Sequence, residues 1–155
     1  MEIVIPRLKD YDSVNKLAIQ VHELHVGWRP DLFISVKEVI SREYFNELIL
    51  NNQIFVAKID EEIVGYITFN IREKQIPSMR YRKQLNIDAM CVDENHRGKG
   101  IGTKLLKFVK ELAIENNCTD LYLTVNEENE SAIKTYENFG MKVKNIAYSM
   151  EIDNK

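Results

Sequence analysis

The 155-residue chain carries 24 acidic and 21 basic residues, a net charge of −3, with 45% hydrophobic and 29% charged residues. These values describe an ordinary folded chain and exclude a disordered tail or a general nucleic-acid coat, which needs an excess of Lys and Arg. Two cysteines without a CxxC pair, a charged start at Met1–Arg7 and no apolar run near the roughly 18 residues that cross a bilayer lead to the expectation of a cytoplasmic protein without membrane or nucleic-acid partners.

Ile3 to Ile5 is a short apolar run stopped by Pro6, a first strand. From Asp12 the period changes: Val14, Leu17, Ala18, Val21 and Leu24 recur at three- and four-residue steps on one helical face, ended by Trp28-Arg29-Pro30-Asp31. A second helix is predicted from Val36 to Leu50, capped near Ser35. Ile54–Ile59 and Ile63–Ile71 are β-branched and aromatic runs joined by Asp60-Glu61-Glu62, the pattern of a hairpin. The stretch 72–83, with Pro77 and five basic residues, reads as a mobile loop.

Leu85 to Val92 is a third long strand. Gly98, Gly100 and Gly102 follow, and Ile101, Leu105, Phe108, Val109 and Leu112 then trace a helical face. Leu121 to Val125 forms a buried strand, Ala132, Ile133, Tyr136 and Phe139 line a last helix ended by Gly140, and Met141 to Ile152 supplies one or two closing strands. The order β-α-α-β-β-β-α-β-α-β, without repeat or linker, makes residues 1–155 a single α+β domain around a mixed sheet.

Chemistry concentrates in Asp88 to Lys104, where a strand runs through a glycine-rich turn directly into an amphipathic helix. The first amides of a helix have no intrahelical acceptor, and the helix dipole adds partial positive charge there. Glycines let a bulky anion approach the main chain, which suits a phosphate or pyrophosphate. Arg97, Lys99 and Lys104 add cations. A Walker A loop requires Ser or Thr after Gly-Lys, but Gly100 follows Lys99. A dinucleotide fingerprint requires GxGxxG, and Thr103 or Leu105 stands where the last glycine belongs.

The run Arg97-Gly98-Lys99-Gly100-Ile101-Gly102 does satisfy RxxGxG, and with it the chain resembles the GNAT superfamily of N-acetyltransferases. A second segment, Asn129 to Met141, is similar to that family's Nxx-Ala-hydrophobic-xx-Tyr segment, with Met141 in place of the usual Phe. The resemblance implies a mostly antiparallel mixed sheet with helices on both faces and splayed fourth and fifth strands. It implies acetyl-coenzyme A as co-substrate and direct attack by a primary amine, of a small molecule or protein, in a ternary complex. A non-catalytic acyl-coenzyme A binding module is the alternative, and a homodimer through the closing strands is a further expectation.

Carried over residue by residue, the main chain of Arg97, Gly98, Lys99, Gly100, Ile101, Gly102 and Thr103 would hold the pyrophosphate. Met90, Cys91 and Val92 would pair with the pantetheine arm, Asn129 would contact it from the other wall, and Tyr136 would protonate the departing thiolate. Asn129 is equally a plain helix cap, and Tyr136 an ordinary core aromatic. Asp88 is the candidate general base, since Asn86 stands about where some protein-lysine acetyltransferases place a glutamate. His25, Trp28 and Phe33, at the junction of the first two helices, would line the acceptor site. Their other reading is simple packing. His22 and His25, three apart, lack a third metal ligand nearby, so no metal is expected. Glu127, Glu128 and Glu130 would flank the cofactor mouth or simply aid solubility.

Overall fold

A computed structural model describes residues 1–153. Its centre is the pair of long runs that the β-branched pattern marks: β2 (Ile54–Ile59) and β3 (Glu62–Lys74), joined by a tight turn whose Asp60 and Glu61 both take positive φ. β1 (Glu2–Val4) pairs antiparallel with β2 on one side, and β4 (Arg82–Val92) pairs antiparallel with β3 on the other. β5 (Asp120–Tyr122) joins β4 in parallel, so the sheet order is β1-β2-β3-β4-β5. The mixed, mostly antiparallel α+β sheet is the one expected.

Helices cover both faces because the strands alternate apolar residues inward on each. α1 (Tyr11–Trp28) and α2 (Arg42–Leu50) bury Val14, Leu17, Phe45 and Leu48 against Ile54, Val56, Tyr66 and Cys91. α3 (Ile101–Glu115) buries Ile101, Leu105, Leu106 and Val109 on the opposite face against Val64, Ile67, Leu85 and Ile87. α4 (Glu130–Phe139) packs Tyr136 and Phe139 onto that second cluster.

One irregularity positions everything that follows. Thr68 faces Ala89 and Phe69 faces Ile87, so Asp88 is an extra residue on β4, a bulge. Leu85 and Ile87 face α3 before it, and Met90 and Val92 face α3 after it. A bulge bends and twists its strand. The ladder with β5 stops just before this point, at Asn86 and Tyr122, and the two strands then part. Behind the bend, Gly65 lets β3 press close to β4: a Cβ there would stand 2.9 Å from the Cys91 carbonyl oxygen and 3.5 Å from Ile101 and Leu105 side-chain atoms.

Several elements differ from the sequence expectation. α2 begins at Arg42, capped by Ser41, whose Oγ accepts from the Tyr44 amide at 3.1 Å. Ser35 caps nothing, because α1 side chains claim the intervening backbone. Asn15 donates to Lys37 O and accepts from the Val39 amide, each at 3.0 Å, and the Tyr11 hydroxyl donates to Ile40 O at 2.8 Å. Both ends of the basic stretch 72–83 are strand, since Arg72, Glu73 and Lys74 pair with Gln84, Lys83 and Arg82, and only residues 75–81 between them are loop. β5 is shorter than 121–125 because β4 bends away from it. The closing strands expected over Met141–Ile152 do not form, and this segment carries no ladder.

Candidate active site

The turn after β4 is braced from several sides. The Asp93 carboxylate accepts from Gln20 Nε2 at 2.9 Å, His96 Nδ1 at 2.9 Å and the Asn95 amide at 3.1 Å. The Gln20 and His96 hydrogen bonds hold its pKa down to about 2. Gln20 Oε1 also accepts from the Glu94 amide at 3.1 Å, which ties α1 to the turn. Arg97 Nε donates to Val92 O and Lys99 Nζ to Asn95 O, both at 3.1 Å. These two cations therefore stiffen the turn with their side chains.

Gly98 and Gly100 have φ of 75° and 76°, the left-handed region that favours glycine. Gly100 caps α3 without a side chain, and the first intrahelical bond runs from the Lys104 amide to Gly100 O at 3.1 Å. The amides of Ile101, Gly102 and Thr103 thus project with no intrahelical acceptor and no side-chain cap. Gly102 differs from its two companions. Its φ is not positive, and a Cβ would meet only ordinary contacts, 3.7 Å from Met90 Cε and 3.8 Å from Val92 and Thr135 methyls. The first turn of α3 accordingly sits between the end of β4 and the face of α4.

The far wall of the gap is α4. Asn129 Oδ1 accepts from the Ala132 amide at 3.2 Å, so the capping role is present in the structure. Tyr136 is half-buried in the cluster that contains Met90 and Val92, and burial raises its phenol. It stays protonated at neutral pH. Cys91 turns the other way: its thiol donates to Leu17 O at 3.2 Å, and burial pushes it up to about 12. Only its main chain remains on the β5 side.

Asp88, at the bulge, is held between two amides on the opposite face. Asn70 Nδ2 donates to Oδ2 and Asn86 Nδ2 to Oδ1, each at 2.7 Å, and Arg72 Nε donates to Asn70 Oδ1 at 2.8 Å. Tyr44 of α2 lies close enough that its phenol is raised, by burial first and then by the charge of Asp88. Sequence reasoning missed Asn70, Arg72 and Tyr44. The available signal was polar residues at 70 and 72, where β3 alternation directs side chains to the α1/α2 face.

His25, Trp28 and Phe33 do come together. The His25 ring stands 5.4 Å from Trp28 and 5.5 Å from Phe33, and His22 lies 6.0 Å from Phe33. Burial, aided by the neighbouring His22, lowers the His25 pKa. The His22 Nε2 atom is 2.7 Å from Ile34 O, a contact that binds the following loop to α1. Among the described residues no hydrogen bond or ring contact joins this aromatic group to Asp88. A groove between α3 and α4, lined by Thr103, Lys107, Lys110, Glu111, Asn138 and Phe139, also escaped the sequence reading.

Residues 19–141 match the model of the acetyltransferase (GNAT) family. The chain is 36% identical over 94 residues to an N-alpha-acetyltransferase of Sulfurisphaera tokodaii, a match covering 57% of this chain and 55% of that protein. It is 39% identical over 57 residues to a spermine/spermidine N(1)-acetyltransferase of Bacillus subtilis, covering 36% and 38%. These matches span about half or less of the curated relatives' length. Among solved structures, a mutant of the BH1408 protein from Bacillus halodurans superposes with a TM-score of 0.94 at 27% identity, over 98% of this chain and 99% of that one.

Proposed function

The chain belongs to the GNAT acetyltransferase family, and from that premise we propose that it transfers acetyl from acetyl-coenzyme A to a primary amine. One observation carries the proposal: uncapped amides at the start of α3 open beside the gap where β4 bends away from β5. The fit to the coenzyme is good. Ile101, Gly102 and Thr103 offer donors and the helix dipole to its pyrophosphate, and the glycines keep side chains out of the way. Lys107 and Lys110, in the adjoining groove, suit its adenosine phosphate end. Past the bulge, the edge of β4 from Met90 to Val92 offers main-chain groups to the pantetheine arm, and Asn129 faces the arm from α4.

In the transfer, a neutral amine attacks the thioester carbonyl, a C–N bond forms and the C–S bond breaks. A β4 amide stabilises the oxyanion, Tyr136 gives its proton to the departing thiolate, and Asp88 receives the proton that the amine loses. The Asn70 and Asn86 amides fix the orientation of the Asp88 carboxylate. The acceptor enters past Tyr44 and the His25–Trp28–Phe33 end of α1, whether it is a small polyamine or a protein N-terminus. A cytoplasmic location and a homodimer belong to the same proposal, and no helix among the described residues is long and apolar enough to cross a membrane.

A thiol-release assay with acetyl-coenzyme A tests this, using spermidine, an aminoglycoside and a peptide with a free N-terminus as acceptors. Release with at least one of them is expected. Tyr136→Phe should lower kcat about 100-fold while coenzyme affinity stays within about threefold, since the phenol meets the thiolate only as it leaves. Coenzyme binding without release for any amine would instead identify an acyl-coenzyme A binding module.

A further inference from the structure

The basic ends of the β3–β4 hairpin take no part in the acetyl-transfer scheme, yet they adjoin its reacting groups. Residues directly opposite each other in a ladder share a face of the sheet. Asn70 lies opposite Asn86, Arg72 opposite Gln84 and Lys74 opposite Arg82, and in the next ladder Gln84 and Asn86 lie beside Asp120 and Tyr122. Ile71 and Leu85 face α3. The polar set therefore forms one patch on the other face, the side of α1 and α2. Arg72, Lys74 and Arg82 are exposed there.

The charges of the patch are sorted along it. At the α2 end stand Asp88, between the amides of Asn70 and Asn86, and Glu47, which acts on Tyr44 together with Asp88. At the hairpin end stand Arg72, Lys74 and Arg82. Asp120 already accepts from Gln84 Nε2 at 2.6 Å and lies in electrostatic reach of Lys144 and Arg82. Glu73 and Lys83 pair with each other on the opposite face, at 3.9 Å. Arg72 and Lys74 are thus left without an ion pair among the described residues.

One amide joins the two ends. Asn70 Nδ2 donates to Asp88 at 2.7 Å, and Asn70 Oδ1 accepts from Arg72 Nε at 2.8 Å. Arg72 is therefore held in place by a neutral group, and the terminal nitrogens of its guanidinium keep their donors for a ligand. We propose that Arg72, supported by Lys74, binds an anionic group of the acceptor, which is then a primary amine carrying a carboxylate a few bonds from the reacting nitrogen. The amine lies at Asp88 and the carboxylate on Arg72, whose planar fork matches it. A polyamine would instead bring a second ammonium toward the cationic end. This specificity rests on the acetyl-transfer reading and narrows it. A free acidic amino acid and a peptide beginning with an acidic residue share the required chemistry.

Thiol release, read as kcat/KM, tests it with Glu-Ala-Ala amide, Gln-Ala-Ala amide, free glutamate and spermidine. The two peptides differ by one charge, and the first should be favoured at least about tenfold. The preference should shrink in about 0.5 M salt, as screening requires. Arg72→Gln should bring the ratio between the peptides to within about twofold of unity, Arg72→Lys should retain most of it, and Arg72→Glu should invert it. A ratio cancels any loss common to all acceptors, including one transmitted through Asn70 to Asp88. Circular dichroism should be the same for all four proteins. Better use of free glutamate or of the glutamyl peptide, both within the proposal, tells the two sources apart. A wild-type ratio near unity, spermidine used as well as the glutamyl peptide, or a ratio that Arg72→Gln leaves unchanged overturns the proposal while the transfer reading stands. Coenzyme binding without release from any amine overturns both.

Discussion

Three glycines lie within five residues of the turn, and they are not equivalent. Gly98 and Gly100 are required by the backbone, because their φ values of 75° and 76° cost any other residue about 1–2 kcal/mol. Gly102 is required by nothing in the protein itself: a methyl would fit at 3.7–3.8 Å from its neighbours. The space suits the proposed pyrophosphate. Gly100→Ala should lower unfolding stability by about 1–2 kcal/mol in urea titration. Gly102→Ala should leave stability the same or slightly higher, and should weaken acetyl-coenzyme A binding at least about tenfold by calorimetry. Equal affinities for wild type and Gly102→Ala would move the pyrophosphate away from this turn.

At the scale of elements, α2 and β4 show what local pattern conveys and what it does not. The strand, glycine-rich turn and helix of 85–115 were legible because all their determinants lie within one short stretch. The start of α2 was not. Ser35 and Ser41 are equally good caps by composition, and the choice is made by Asn15 and Tyr11 of α1, which bind the backbone of 37–40. The bulge at Asp88 was also hidden, since alternation along β4 looks continuous until pairing with β3 shows the extra residue. The tail carries the pattern of a strand, but pairing depends on a neighbour that its own sequence does not specify. Because Ser41 also places Tyr44 beside Asp88, Ser41→Ala should cost about 1 kcal/mol of stability and raise the KM for the amine more than that for acetyl-coenzyme A. Steady-state kinetics with each substrate varied would show the split.

Across the whole molecule, α1 is tied to the turn after β4 through Gln20 and Asp93 and packed at its far end around His25, and both points respond to acid. The Asp93 carboxyl lies at about 2 in the folded chain against an ordinary 3.8. Its contribution is complete above about pH 4 and is lost as pH falls from there toward 2. His25 is lowered from 6.5 by burial. Below about pH 6.5 the unfolded chain takes up a proton that the folded ring resists, so stability also falls as pH drops through the middle sixes. The melting temperature should thus decline in two separate windows. Calorimetric scans should show His25→Leu flattening the upper decline and leaving the lower one in place. A single decline below pH 4 in the wild type would mean that the ring cluster at the end of α1 opens without cost.

The missing side chain at position 65 has a consequence for how the cleft can evolve. A methyl there would press on the Cys91 carbonyl, 2.9 Å away, and meet Ile101 and Leu105 at ordinary contact distance. It would push on β4 at the stretch proposed to carry the pantetheine arm. The position of that stretch is thus set in part from β3, at Gly65. On the proposed reading, changes of acceptor range are then free to accumulate in α1, α2 and the loop that links them, away from the donor's seat.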